Sequence, residues 1–247
     1  MIGHANPEAG TGLVFDGIVK HYGNHDVLRG ATWNIGRSEI GVVLGPNGAG
    51  KSTLMAILAT LVQPDRGTFR VDGTARPIEV RARLGYLPHA PLLTPSLTVR
   101  ENLLVAAGLH GLSRADTAGR VAALTDQFEL AGLLDRLAGH CSRGQSQRAS
   151  LAVALVHNPP VLLLDEPFTG LDAAARERLS LYVRAWRDEG RSILLVTHEL
   201  ADGIALADKV GCLVRGKIFE PPAELLRDPA ALARTMEQAV QPVIGPA

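Results

Sequence analysis

Alternating apolar positions around Leu13-Val14-Phe15 and again over residues 27–35 predict two strands, with His21-Tyr22-Gly23-Asn24 as the turn region between them. Together they read as an antiparallel edge sheet. The run Ile40-Gly41-Val42-Val43-Leu44 is short and apolar, and a Gly-rich loop and a helical pattern over residues 53–61 follow it at once. Two further apolar runs, residues 161–164 and 192–196, have the length of buried strands, and a charged helical stretch over 173–189 separates them. That alternation predicts a parallel sheet covered by helices. Between residue 99 and about residue 137 the strand signals stop, and helices are predicted over 99–109 and 114–130. These belong to an all-helical lobe, about residues 98–157, inserted into an α/β core. After residues 210–214 and the turn Arg215-Gly216-Lys217 comes a helical piece over 229–239 and a Pro/Gly-containing tail, expected to be mobile. The expected organisation is one domain over residues 12–228, with a C-terminal helix and tail over 229–247.

Composition narrows the function classes. With 247 residues and 46% hydrophobic content the chain can bury a full core, and Lys+Arg and Asp+Glu balance at 25 each. That balance lacks the basic surplus of a nucleic-acid binder, so nucleic acid is not an expected partner. Cys141 and Cys212 fit neither a disulfide framework nor a zinc spacing, which suits a reducing cytosol. No stretch approaches the ~18 apolar residues of a membrane span, and the N-terminus lacks the basic and apolar regions of a secretory signal. Any membrane role is therefore expected to run through docking onto other polypeptides.

The chemistry begins with Gly45-Pro46-Asn47-Gly48-Ala49-Gly50-Lys51-Ser52, which fits GxxxxGK[ST] after a buried strand and before a helix. Glycines let backbone N–H groups converge on phosphates, and the helix N-terminus adds favourable potential. Lys51 can reach the β- and γ-phosphates, Ser52 can ligate Mg²⁺, and Thr53 completes the expected ATP cradle. The plain alternative is a glycine turn that binds nothing. Asp165 and Glu166 directly follow the strand at 161–164, where burying carboxylates is unfavourable unless a metal or donors compensate. Asp165 is then the natural partner of Mg²⁺, and Glu166 is placed to polarise the attacking water.

In this order the motifs resemble the ABC ATPase family over nearly the whole chain. Cys141-Ser142-Arg143-Gly144-Gln145, followed by Gln147-Arg148, stands where that family has its LSGGQ signature. The resemblance implies that Ser142 and Gly144, with Gln145, contact the γ-phosphate held by an opposite protomer. Thr169-Gly170-Leu171-Asp172 resembles the D-loop, and Asp172 also reads as a helix N-cap. His198 resembles the switch histidine that hydrogen-bonds the γ-phosphate, and Tyr22 stands where relatives stack an aromatic on adenine. His89, in Tyr86-Leu87-Pro88-His89, replaces the usual glutamine. Magnesium prefers oxygen ligands, so His89 is expected to be a hydrogen-bonding coupler near the nucleotide rather than a metal ligand. Cys141 replaces the usual leucine and is expected to pack like a small apolar residue.

The resemblance implies a P-loop NTPase (RecA-like) fold: a parallel-sheet core, an N-terminal antiparallel β subdomain and the helical lobe. It also implies an ATP hydrolase with Mg²⁺, working as a head-to-tail dimer of ATPase protomers on separate integral membrane permease subunits. Its place would be peripheral, on the cytoplasmic face of the cell membrane. The forms Tyr86-Leu87-Pro88-His89, Ser142-Arg143-Gly144 and Leu164-Asp165-Glu166-Pro167-Phe168 look like the haem-exporter ATP-binding subunits of cytochrome c biogenesis. An ATPase serving a drug, lipid or polysaccharide exporter is the alternative. A soluble ABC ATPase of translation or DNA repair is a third, against which stands the absence of a second cassette, a coiled coil or a zinc module.

Overall fold

Gly17, in the left-handed region at φ 61°, lets the first strand continue through an irregularity where the pairing shifts between Phe15 and Ile18. In this computed structural model, which describes residues 11–240, β1 therefore spans Thr11–Tyr22 and pairs antiparallel with β2, His25–Gly36. The chain continues through β3 (Ile40–Leu44), α1 (Lys51–Leu58), β4 (Arg66–Val71), α2 (Pro77–Arg83), β5 (Leu84–Leu87), α3 (Val99–Leu109) and α4 (Arg114–Gln127). Then come α5 (Arg143–Leu155), β6 (Val161–Asp165), α6 (Ala173–Asp188), β7 (Ser192–Thr197), α7 (Leu200–Leu206) and β8 (Lys209–Val214). The described chain ends with β9 (Lys217–Phe219), α8 (Ala223–Leu226) and α9 (Pro229–Val240). The tail expected to be mobile lies, from residue 241 on, outside the described residues.

The hairpin β1–β2 forms a separate three-stranded sheet with β4, in the order β2-β1-β4. The sequence reading did not find β4, because Arg66–Val71 is mostly exposed and carries no apolar alternation. The main sheet runs β5-β6-β7-β3-β8-β9, parallel except for the hairpin β8–β9. Its central strands are apolar without a break because both faces are covered. Val42, Leu162, Leu164, Ile193 and Leu195 pack into one core with α6 and the helical lobe. Val43, Val161, Leu163, Leu194 and Val196 face the other, shared with α1 and the antiparallel sheet.

Helices α3, α4 and α5 make the lobe, and caps set where they begin. Thr98 and Glu101 form a capping box at α3, Ser113 caps α4, and Ser142 and Gln145 form a box at α5. The lobe joins the sheet at the far end of α5. There His157 Nε2 meets the Leu84 carbonyl at 3.1 Å, and Arg120 donates to the carbonyls of Leu155 and Val156 at 2.7 and 3.1 Å. The His157 ring stacks on His110 with centroids 3.5 Å apart, and its Nδ1 is buried without a partner.

Burial, together with the neighbouring His110 and Arg120, holds the His157 imidazole down to about 4, against the Leu84 contact that favours its protonation. Below the ordinary value near 6.5 the unfolded chain takes up a proton that folded His157 refuses, so stability falls as pH drops from about 6.5 toward 4. His157→Gln, which keeps a donor for Leu84, is expected to flatten the pH dependence of the unfolding free energy in that window by up to about 1.4 kcal/mol per pH unit. Urea melts at stepped pH measure it.

Candidate nucleotide site

β3 ends at Leu44 and the loop folds back over it. Gly45 has room only for hydrogen, since a Cβ there would stand 2.8 Å from the Leu213 carbonyl oxygen. Gly48 and Gly50 adopt φ 80° and 101°, and Gly50 directly precedes α1, which has no side-chain cap. The loop's amides and the open N-terminus of α1 thus face one cleft of about 340 Å³, lined among others by Asn47, Lys51, Ser52, Thr53, His89 and Glu166. Lys51 is only 6% exposed; its Nζ donates to the carbonyls of Gly45 at 2.8 Å and Pro46 at 3.2 Å. It also lies 3.4 Å from Glu166 Oε1. The helix begins two residues before the predicted stretch, because Lys51 and Ser52 already form its first turn.

The strand order does the rest of the assembly. β7 lies between β6 and β3, so their carboxyl ends bring Asp165-Glu166, His198 and the glycine loop to one edge of the sheet. Glu166 has a left-handed backbone, φ 52°, and a carboxylate almost out of solvent. Its Oε2 accepts from Thr197 Oγ1 at 3.0 Å, from the His198 amide at 3.3 Å and from His198 Nδ1 at 2.9 Å. Desolvation pushes the carboxyl up, but the bond from His198, the charge of Lys51 and the Thr197 hydroxyl together outweigh it and hold the group below its ordinary value. Glu166 is thereby an ionised acceptor.

Asp165 is 2% exposed, and burial, aided by the neighbouring Glu166, raises its carboxyl above the ordinary value against a bond from Ser52 and the charges of His89 and Lys51. Its Oδ1 is buried with no hydrogen-bond partner. An orphaned carboxylate oxygen beside a serine hydroxyl is a pair of hard oxygen donors, which fits Mg²⁺ completed by water and phosphate oxygens. Among the described residues no group of three or more His, Cys, Asp or Glu could hold a metal, so the phosphates would have to share it. His89 lines this cleft and the one behind it, and makes no hydrogen bond among the described residues.

Ser142 caps α5: its Oγ accepts from the Gln145 amide at 3.3 Å, while Gln145 Oε1 accepts from the Ser142 amide at 2.9 Å. The Ser142 hydroxyl keeps its own proton to donate. A Cβ on Gly144 would meet nothing within 4 Å, so this helix end opens outward. Cys141 packs against the apolar core. Asp172 caps α6 through the Ala175 amide at 2.8 Å. Tyr22 lines neither of the clefts that border the glycine loop; its ring lies beside Lys20, whose Nζ is 5.5 Å from the centroid.

Several contributors carried no local signal. Val27 borders the glycine loop, and a Cβ on Gly50 would stand 3.0 Å from its carbonyl oxygen. The wider cleft on that side, about 670 Å³, is lined by His25, Asp26 and Arg215 as well. Gln147 donates to the Pro167 carbonyl, and the Arg143 guanidinium covers Gly170, where a Cβ would stand 2.5 Å from Arg143 Cζ. The sequence had marked Arg143 and Gln147 by their place in and behind the signature and Gly170 by its place in the D-loop, but not that these segments meet.

A glycine loop between a buried strand and a helix, its lysine turned inward and two acids ending a nearby strand, defines a P-loop nucleoside triphosphatase site. The family model described as ABC transporter matches residues 28–169. The chain is 36% identical to the Nod factor export ATP-binding protein I of Paraburkholderia xenovorans (strain LB400), over 91% of this chain and 81% of that one. It is 34% identical to the molybdate/tungstate import ATP-binding protein of Thermococcus kodakarensis, over 89% and 68% respectively. The solved structure of an ATP binding subunit of an ABC transporter superposes with a TM-score of 0.82 at 30% identity, over 93% of this chain and 99% of that one. The chain belongs to the ABC transporter family as an ATP-binding subunit, and members of this kind are ATPases.

Ser142→Ala removes the cap of α5 and is expected to lower the unfolding free energy by about 1 kcal/mol, read from urea melts. Gln145→Ala removes only the reciprocal half of the box and should lower it less.

Proposed function

We propose that two copies of this chain close head to tail on two ATP molecules, each held between one chain's glycine loop and the other's signature, and so drive an export transporter through separate membrane subunits. One observation carries the dimer. Ser142 and Gly144 open onto a cleft of about 320 Å³ shared with Asp172 and Arg178, and neither lines the cleft of Lys51, Ser52 and Thr53. A signature that faces away from its own loop is supplied to another chain's.

In this reading the glycine loop and Lys51 grip the phosphates, and Ser52 and Asp165 hold Mg²⁺, which when bound neutralises phosphate charge. The γ-phosphate competes for Lys51 and His198, the donors that now contact Glu166. Released from them, Glu166 accepts a proton from water as the water oxygen bonds to the γ-phosphorus and the bond from that phosphorus to the bridging oxygen breaks, giving ADP and phosphate. Tyr22 is proposed to reach adenine by a movement of the hairpin tip, where it is 49% exposed.

Among the described residues no helix is long and apolar enough to cross a membrane. Leu104, Val105 and Leu109 on α3, with Leu92 beyond His89, are exposed apolar side chains, and they support docking of the lobe onto membrane subunits at a cytoplasmic membrane face. For the cargo, the forms around His89 and Arg143 favour haem export in cytochrome c biogenesis. The relative from Paraburkholderia favours an exporter of another molecule, and the one from Thermococcus keeps import in view.

Glu166→Gln should bind ATP, turn it over at least about a hundredfold more slowly and accumulate as dimer on size exclusion. Wild-type turnover in that variant would remove Glu166 as the base. Lys51→Ala should weaken binding of a fluorescent ATP analogue by about tenfold or more, the loss of a charge-assisted contact; undiminished affinity would remove the phosphate cradle. Mass spectrometry of proteins copurifying from detergent-solubilised native membranes separates the cargo readings. Multi-span proteins of cytochrome c maturation support haem, another permease supports a different cargo, and ribosomal or repair proteins overturn the transporter reading.

A further inference from the structure

We infer that Arg176 is a positioning residue for ATP hydrolysis, a single guanidinium that holds the D-loop and the His198 segment in register around Glu166. The inference rests on the reading of Glu166 and His198 given above. Arg176 lies in the first turn of α6, and its side chain reaches two different segments. Nε donates to the Leu171 carbonyl at 3.2 Å, Nη1 to Asp202 Oδ2 at 2.6 Å and Nη2 to Glu199 Oε1 at 3.3 Å. Leu171 belongs to the loop that leaves Glu166 through its backbone. Glu199 follows His198 directly, and Asp202 is in the first turn of α7.

Both segments are anchored on Glu166 at their near ends. The Glu166 carbonyl accepts from the Thr169 amide at 3.2 Å, and the Phe168 carbonyl from the Leu171 amide at 3.2 Å. On the other side the Glu166 carboxylate accepts from Thr197 and His198, and Thr197 Oγ1 in turn accepts from the Glu199 amide at 3.0 Å. Arg176 ties the far ends together and so closes a ring that runs from Glu166 through the D-loop, the guanidinium and the start of α7 back to Glu166. Among the described residues no other side-chain hydrogen bond links residues 167–172 with 198–203.

The base of this tie is rigid. Asp172 caps α6 one turn away, and the helix is seated by buried Leu179, Val183 and Trp186. The tie also differs from an ordinary surface ion pair. The Arg176 side chain is 30% exposed and its two acids 34% each, and the fork spends a third donor on a loop carbonyl. Glu166 needs such external support, because its left-handed backbone persists only where the surroundings over-determine it.

The test measures steady-state ATP hydrolysis and binding of a fluorescent ATP analogue on the full chain, free or with copurifying membrane subunits, in whichever form shows wild-type turnover. Arg176→Ala is expected to lose about tenfold or more in kcat with KM and nucleotide affinity held within about twofold, the pattern of a misplaced reacting group rather than lost binding. Arg176→Lys keeps the charge beside Asp202 but has no planar fork to reach Leu171 as well. It should recover the melting temperature while kcat stays low. A kcat for Arg176→Ala within about twofold of wild type, or a kcat that simply follows melting temperature through both variants, overturns the inference. Should Arg176→Ala fail to fold, a folded Arg176→Lys with wild-type kcat overturns it equally. Glu166→Gln run in parallel separates the two failures: full turnover there removes the underlying reading, whereas lost turnover there with normal Arg176 variants removes only this one.

Discussion

The interaction on which the rest depends is the crowded carboxylate of Glu166. It is almost buried, and a buried charge survives only when donors surround it. Those donors come from two places far apart in sequence: Lys51 on α1, and Thr197 with His198 at the end of β7. They meet because β7 is inserted between β3 and β6, so the strand ends that carry them are neighbours. A carboxylate so held stays ionised, and in the proposed reading it occupies the donors that the γ-phosphate takes up. Binding of substrate and release of the base are, in that reading, one exchange of partners.

Such an exchange demands a frame that does not yield. The main sheet supplies it, with alternate residues of β3, β6 and β7 sealed into separate cores on its two faces. Every side chain of β6 and β7 is buried, so neither strand can slide without uncovering apolar surface. The polar residues at their ends inherit that immobility. The strain at Glu166, a non-glycine residue at φ 52°, is stored against the same frame.

What the sequence revealed and what it concealed divide along the same physical line. The glycine loop was legible because its geometry is local: a strand, a tight loop and a helix are written in consecutive residues. The cap at Asp172 was legible for the same reason. The length of β1 was hidden by Gly17, which reads as a strand breaker yet carries the strand through a shift in register. β4 was hidden because its partner lies some fifty residues back and its exposed face carries no alternation. Arg176 was silent because a polar residue on a helix announces solvent, and for Arg143 and Gln147, marked only by their place in the signature, the folded arrangement alone shows them turned onto the loop after Glu166. Tyr22 shows the reverse case, in which position in the motif order was plain but the ring's setting beside Lys20 was not.

The contacts between lobe and core differ in kind along α5. At its C-terminal end the lobe is fastened by His157 on Leu84 and by a close approach of backbone to backbone, where even a Cβ on Gly85 would stand 2.5 Å from the Ala154 carbonyl oxygen. At its N-terminal end the links are side chains: Gln147 on Pro167, and the flexible Arg143 lying over Gly170. Between these ends the lobe is packed on α6, where the Phe128 ring meets Tyr182 and Trp186 and the Tyr182 hydroxyl donates to the Gln127 carbonyl at 2.6 Å. The signature thus lies at the end of α5 that side chains hold, opposite the end where backbone meets backbone. Its nearer contacts, at Pro167 and Gly170, fall in the loop between Glu166 and Arg176, so the lobe and the Glu166 carboxylate are joined through the same six residues of chain, 167–172.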